Sequence, residues 1–234
     1  MMKNPWLNLP EKPPYVLKGD NPNVRLFNNK NSKPGHFIHL GALPEPYLGN
    51  PNAPVVILNL NPGHSPEDAE IHAKPHFAKA SRDNLLHFRE SYPLYLLDPE
   101  LPSPGQTWWS SRLRELIDEV GLEKVTDNVF VAEYFPYHSI SFAHHRLHVP
   151  SQNYTYFLVR KAIQRNALII FFRSVKPWCL AVPELNGYSR LAVVGNVQKP
   201  YLSRGNFPNH FSEIVAEVDN TNIGANRPVF VDGS

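Results

Sequence analysis

Four short apolar runs punctuate a polar chain, and segments of helical spacing lie between them. The runs Val55–Leu60, Asn128–Ala132, Ala167–Phe172 and Arg190–Gly195 have strand length and almost no polar interruption. That pattern suits strands buried on both faces, as in a parallel sheet. Between the first two runs, Glu67–Ala80 reads as helix broken at Pro75, followed by a second helix over Ser81–Glu90 with Ser81 as N-cap. Trp109, Leu113, Leu116, Ile117 and Val120 recur at helical spacing within Trp108–Val120, and Gly121 suits the C-terminal cap. Helices are predicted again over Ser151–Arg165, Pro177–Leu185 and Asn206–Val218, with loops at Pro93–Pro104 and Tyr134–Pro150. Strands alternating with helices predict an α/β fold, three-layer α/β/α, around a central four-stranded parallel sheet.

The first fifty residues have a different texture. Residues 1–50 are rich in Pro, Asn and Gly with scattered aromatics (Trp6, Tyr15, Phe27, Phe37, Tyr47), and read as an extended arm packed on the domain, with a short strand at His36–Leu40. Residues 51–234 form the single α/β domain. Composition agrees: 42% hydrophobic and 19% charged residues in 234 supply a sizeable core and exclude bulk disorder. The net charge of +2 permits an anionic partner without demanding one. A single cysteine, Cys179, excludes a disulfide framework, a cysteine zinc site and a cysteine-ligated cluster. No apolar run approaches the roughly 20 residues of a membrane span, and the N-terminus lacks a signal-peptide core. The expectation is a cytoplasmic monomer that does not engage a membrane.

Right-handed crossovers place all four strand ends on one edge, where open α/β sheets bind ligands. Those ends are Asn59–Gly63, Glu133–Ser139, Arg173–Lys176 and Asn196–Arg204. At the first, Asn59, Asn61 and His64 surround a Pro62-Gly63 turn; the amides either hold a water or ligand carbonyl, or satisfy loop backbone. At the second, Glu133 precedes Tyr134, Phe135 and Tyr137, a carboxylate among rings that can read and stack a heterocycle, or pack as core. Arg173 and Lys176 offer an anion site or a solvated edge. The fourth end, with Gln198, Lys199, Ser203 and Arg204, can grip phosphates or simply connect strand to helix. Histidine pairs four apart (His72 and His76, His144 and His148) are crossed or followed closely by Pro75 and Pro150, and no His-Glu-x-x-His stands in the chain. No metal and no cofactor are expected. The chain also lacks a Gly-x-Ser-x-Gly elbow, a phosphate loop ending in Gly-Lys-Ser/Thr, and Gly-x-Gly-x-x-Gly, which disfavours a serine hydrolase, an NTPase and a dinucleotide enzyme.

Taken together, Asn59-Leu-Asn61-Pro62-Gly63 and Leu202-Ser203-Arg204-Gly205-Asn206-Phe207 resemble the two motifs of the uracil-DNA glycosylase superfamily. The first is similar to the Gly-x-Asn-Pro-Gly form of its mismatch-specific and single-strand-selective branches. The resemblance covers roughly residues 50–220. It implies a DNA-repair hydrolase that cleaves the N-glycosidic bond of a flipped base, with DNA or another nucleobase-containing ligand as partner. It implies catalytic roles for Asn61, in positioning water or polarising the base, and for Glu133. It further implies Phe77 as the ring that stacks on the base, and phosphate contacts from Gln198, Lys199, Ser203 and Arg204. Three positions depart from the pattern. Asn59 replaces the first glycine, Gln198-Lys199-Pro200 stands where many members carry His-Pro-Ser, and Glu133 stands where some branches read uracil with Asn. An ionised Glu133 accepts hydrogen bonds only, which implies a donor-rich base such as guanine or a damaged purine rather than uracil. The alternative is a non-catalytic binder of nucleic acid or nucleobase on the same fold.

Overall fold

The computed structural model describes residues 2–89 and 91–219. Within them the chain forms five strands and eight α-helices. The strands are β1 (Tyr47–Leu48), β2 (Val55–Asn59), β3 (Val129–Glu133), β4 (Leu168–Phe171) and β5 (Leu191–Val193). They build one sheet in the order β1-β3-β2-β4-β5. Strands β3, β2, β4 and β5 run parallel, and β1 adds antiparallel to β3. The expected four parallel strands are present, and the sheet gains a fifth. That fifth strand is Tyr47–Leu48 rather than the expected His36–Leu40, where only a bridge between His39 and His138 forms. Gly49 turns the chain away from β1 at φ +92°, and a Cβ there would sit 2.5 Å from the Val129 carbonyl oxygen. Only glycine fits that approach.

Alternation divides the strands between two cores. Val55, Ile57, Val129, Val131, Leu168 and Ile170 join one apolar cluster. It is closed by α3 (Pro75–Leu85), α4 (Pro104–Val120), α5 (Leu122–Asn128) and α8 (Phe211–Asp219). Val56, Leu58, Phe130, Ala132, Ile169 and Phe171 join the other, with α6 (Gln152–Gln164) and α7 (Val175–Ala181). Trp6, Tyr15, Leu17 and Val24 of the N-terminal segment are buried in that second cluster. The segment is not simply extended: Asn21–Lys30 forms α1.

Helix boundaries shift at the prolines. Pro75 starts α3 rather than merely interrupting a helix, because its fixed φ and missing N–H suit the first turn. It separates α3 from the short α2 (Asp68–Ala73), and α3 runs through Ser81 without a cap there. The predicted end of that helix at Glu90 lies outside the described residues, as do residues 220–234 of the domain. Helix α4 begins at Pro104, four residues before the apolar periodicity, because Ser103 caps it by accepting the Gln106 N–H at 3.0 Å. Among the described residues no helix is long and apolar enough to cross a membrane.

The order in which the parallel strands are added reverses between β2 and β4. From β2 the connection leads to β3 on one side, and from β4 it leads to β5 on the other. In open α/β sheets the ligand crevice lies outside the carboxyl ends of the strands at such a switch point. Here that point is the end of β2 and β4, carrying Asn59–Asn61 and Phe172–Ser174.

Candidate functional site

Asn59 and Glu133 are the last residues of neighbouring strands and lie directly across from each other in the parallel register. Alternation turns both to the face of Val55 and Ile57. Both are buried, at 6% and 3% exposure. Asn59 Nδ2 donates to Glu133 Oε1 at 2.9 Å. The pair satisfies only half of itself: Asn59 Oδ1 and Glu133 Oε2 are buried without a hydrogen-bond partner. A third unmet atom, Arg173 Nε, belongs to the residue that follows β4 by two positions. Three adjacent strand ends thus each carry one buried, unanswered polar atom. Native interiors leave few such groups, and each asks for an explanation.

Burial pushes the Glu133 carboxyl up to about 8; the Asn59 hydrogen bond opposes this, the Glu45 charge adds to it, and the Arg173 charge opposes it. At neutral pH the carboxyl is therefore held protonated. Burial thus favours the opposite of the ionised state expected from sequence: a neutral Glu133 has an O–H to donate as well as an oxygen to accept.

Asn61 has a different assignment. Its Nδ2 donates to Pro62 O at 2.7 Å and to Ser139 Oγ at 3.0 Å. The amide hydrogens lock the Pro62-Gly63 turn onto the loop after β3, and Oδ1 is left for another donor. The Ser139 N–H donates to Pro62 O at 3.3 Å, and His138 Nδ1 lies 2.6 Å from Gly63 O. His64 stacks on His39, with ring centroids 3.5 Å apart and planes 11° apart. Burial lowers the pKa of both rings.

Behind this turn, Glu45, His72 and His138 bring ligand atoms within 4.8 Å of one another, all buried. Their hydrogen bonds do not suit a metal ion. His72 Nδ1 accepts the Leu43 N–H at 3.0 Å, so the neutral ring carries its proton on Nε2. His138 faces Gly63 O with one nitrogen and Leu43 O, at 2.8 Å, with the other. Both nitrogens are thus turned to carbonyl oxygens, and neither is directed at a shared metal position. Glu45 Oε1 accepts the Tyr95 hydroxyl at 2.6 Å. Metal-binding histidines instead offer one lone pair and donate from the other nitrogen. The cluster is a hydrogen-bonded brace joining the segment before β1 to α2 and to the loop after β3.

The other expected site residues separate. Phe77 is buried on α3, its ring 4.7 Å from His72 and 5.5 Å from Tyr95. Tyr134 turns to the opposite layer, against Tyr156 and Trp178 at 5.8 and 5.6 Å. Phe135 is fully buried against His144 at 4.2 Å. Gln198 and Lys199 are exposed, and their N–H groups donate to Asn196 Oδ1. Ser203 Oγ accepts the Asn206 N–H. Arg204 pairs with Glu115 and Glu119 of α4 and lies over the Phe211 ring. Strand β4 separates this loop's strand from β2, a displacement of roughly 10 Å. The structure therefore gathers Asn59, Asn61, Pro62, Gly63, His64 and Glu133, adds Arg173, and ties Ser203 and Arg204 into their own loop and onto α4 and α8.

Glu45, His39 and Tyr95 went unmarked in the sequence. They come from separate segments, and their one local signal is Glu45 between two prolines just before β1. Comparison with family models, with curated proteins and with solved structures gives no significant match.

Proposed function

We propose that the β2–β3–β4 strand ends read the lactam edge of an extruded nucleobase, in a glycosylase-type hydrolysis of its N-glycosidic bond. The observation that carries this reading is the half-satisfied Asn59–Glu133 pair. With Glu133 protonated, its free Oε2–H is a donor and Asn59 Oδ1 is an acceptor. A ring C=O beside an N–H, as in uracil, thymine, hypoxanthine, xanthine or guanine, supplies the complement. Turning the Asn59 amide over leaves the same complement, one donor and one acceptor. Uracil thus returns to the set of candidate bases.

In this reading the base leaves the stack at a cost of a few kcal/mol. Bond breaking gathers negative charge on the base, and Arg173 is placed to stabilise it. Asn61 Oδ1 holds the attacking water, since its amide hydrogens are engaged; the water oxygen bonds to C1′ as the C1′–N bond breaks, and its proton passes to the departing base anion. Support also comes from the position of the pair beside the switch point, and from the resemblance of Asn59–Gly63 to the family's first motif. A neutral Glu133 cannot act as general base, which favours a second reading: a protein that binds the base without cleaving.

Base release from oligonucleotides bearing uracil, hypoxanthine, xanthine or mismatches separates these readings. Release that Asn61→Ala and Glu133→Ala each reduce by about a hundredfold or more, with Glu133→Gln retaining it, supports the enzyme. Binding without release, lost in Glu133→Ala, supports the binder. Neither release nor binding of any of these bases refutes the assignment of the site.

A further inference from the structure

At the opposite edge of the sheet, ahead of β2 and β4, helix α6 ends beside a cavity of about 390 Å³. Asn52, His87, Tyr154, Lys161 and Arg165 line it, together with apolar Pro51 and Leu158. No aspartate or glutamate is among the described residues of its lining. Arg165 donates from Nη2 to Ala53 O at 2.9 Å, but its Nε is buried without an acceptor. No carboxylate among the described residues lies within ion-pair distance of Arg165 or Lys161. Cations at a helix C-terminus answer the helix dipole. The dipole does not account for a desolvated guanidinium N–H with nothing to receive it, because an unpaired buried charge is costly.

His87 adds a second unmet group. It holds a left-handed backbone, φ 60°, which is uncommon outside glycine. Its ring stacks on Tyr47, centroids 4.7 Å apart, and Nε2 lies 3.2 Å from the Tyr154 hydroxyl. Burial holds the imidazole neutral, with its pKa lowered to about 4. The other ring nitrogen, Nδ1, is buried and unpartnered. The cavity is thus lined by a guanidinium and an ammonium without carboxylate partners, and by an imidazole with one unmet ring nitrogen. Strain and unmet groups of this kind cluster where a ligand is held.

We infer that this cavity binds a small organic phosphomonoester. Two cations without carboxylate partners match a dianion, and guanidinium–phosphate bonds are among the stronger charge-assisted ones. Pro51, Leu158 and the two rings provide an apolar wall for the organic part.

Calorimetric titration of the full chain with phenyl phosphate, inorganic phosphate, sulfate and benzoate at one ionic strength tests this. Phenyl phosphate is expected to bind tightest, and Arg165→Gln to weaken it about tenfold or more. Lys161 is exposed, so Lys161→Gln keeps the test readable if the arginine variant does not fold, and it is expected to weaken binding about fivefold. Absence of phenyl phosphate binding overturns the inference. So does equal binding of benzoate, or wild-type affinity in both variants. Base release at the other edge is expected to be unchanged in both variants, so the two assignments fail separately.

Discussion

Replacing Glu133 by glutamine removes a titrating group and leaves its hydrogen bonds in place. The new carbonyl accepts from Asn59 Nδ2, and the new NH₂ stands where Oε2 carried its proton. In the wild type the folded carboxyl titrates at about 8, against an ordinary 4.5. Between those values the folded chain keeps a proton that the unfolded chain has released. Stability therefore falls as pH rises through that window, by up to ~1.4 kcal/mol per pH unit. The full penalty well above pH 8 is about 5 kcal/mol, a large part of a small domain's stability. Below pH 4.5 this group contributes no slope. Urea denaturation followed by tryptophan fluorescence from about pH 5 to about pH 9 reads the effect. The two proteins are expected to differ by about 1 kcal/mol or less at the acid end, with the glutamine variant the more stable at the alkaline end. Other titrating groups are common to both and cancel in the difference. Parallel stability curves would refute the protonated carboxyl, and with it the donor on which base reading depends. So would a wild type that gains on the variant as pH rises.

His144 has both ring nitrogens buried without partners, among Phe27, Phe135 and Phe142. Burial lowers its pKa to about 3, so its contribution is lost as pH falls from 6.5 toward that value. His144→Leu is expected to stabilise by about 1–2 kcal/mol at neutral pH and to flatten the acid limb; equal denaturation midpoints at every pH would count against it. Ser103→Ala should cost about 1 kcal/mol by freeing the Gln106 N–H at the start of α4, measurable as a lower midpoint at unchanged slope. Arg204→Gln should change stability by about 1 kcal/mol or less and leave base release and oligonucleotide affinity unaltered, because its guanidinium is engaged with α4 at an exposed site; a steep loss of affinity would restore the phosphate-gripping role to that loop.

Long apolar runs were readable because their chemistry is local. Val55–Leu60 and Ala167–Phe172 have no polar face to give water, so burial between helix layers is their main outlet. Strand β1 was not readable: two residues carry no period, and Tyr47–Leu48 form a strand only because β3 offers them an edge. Helix α1 hides in an Asn-rich segment whose propensity is poor, and Val24 anchors it to the core. Helix α5 follows α4 directly after Gly121, too short for its spacing to register.

The sequence by itself determined that an α/β sheet exists, that Asn59 and Glu133 end two of its strands, and that a Pro-Gly turn follows the first. These are consequences of hydrophobic period and of proline and glycine geometry, which act over a few residues. Only the tertiary structure decided which ends adjoin. It set Asn59 opposite Glu133, sent Arg204 to α4, and drew Glu45, His72 and His138 together from three segments. It also decided the charge of Glu133, because protonation follows desolvation and desolvation belongs to the packed whole.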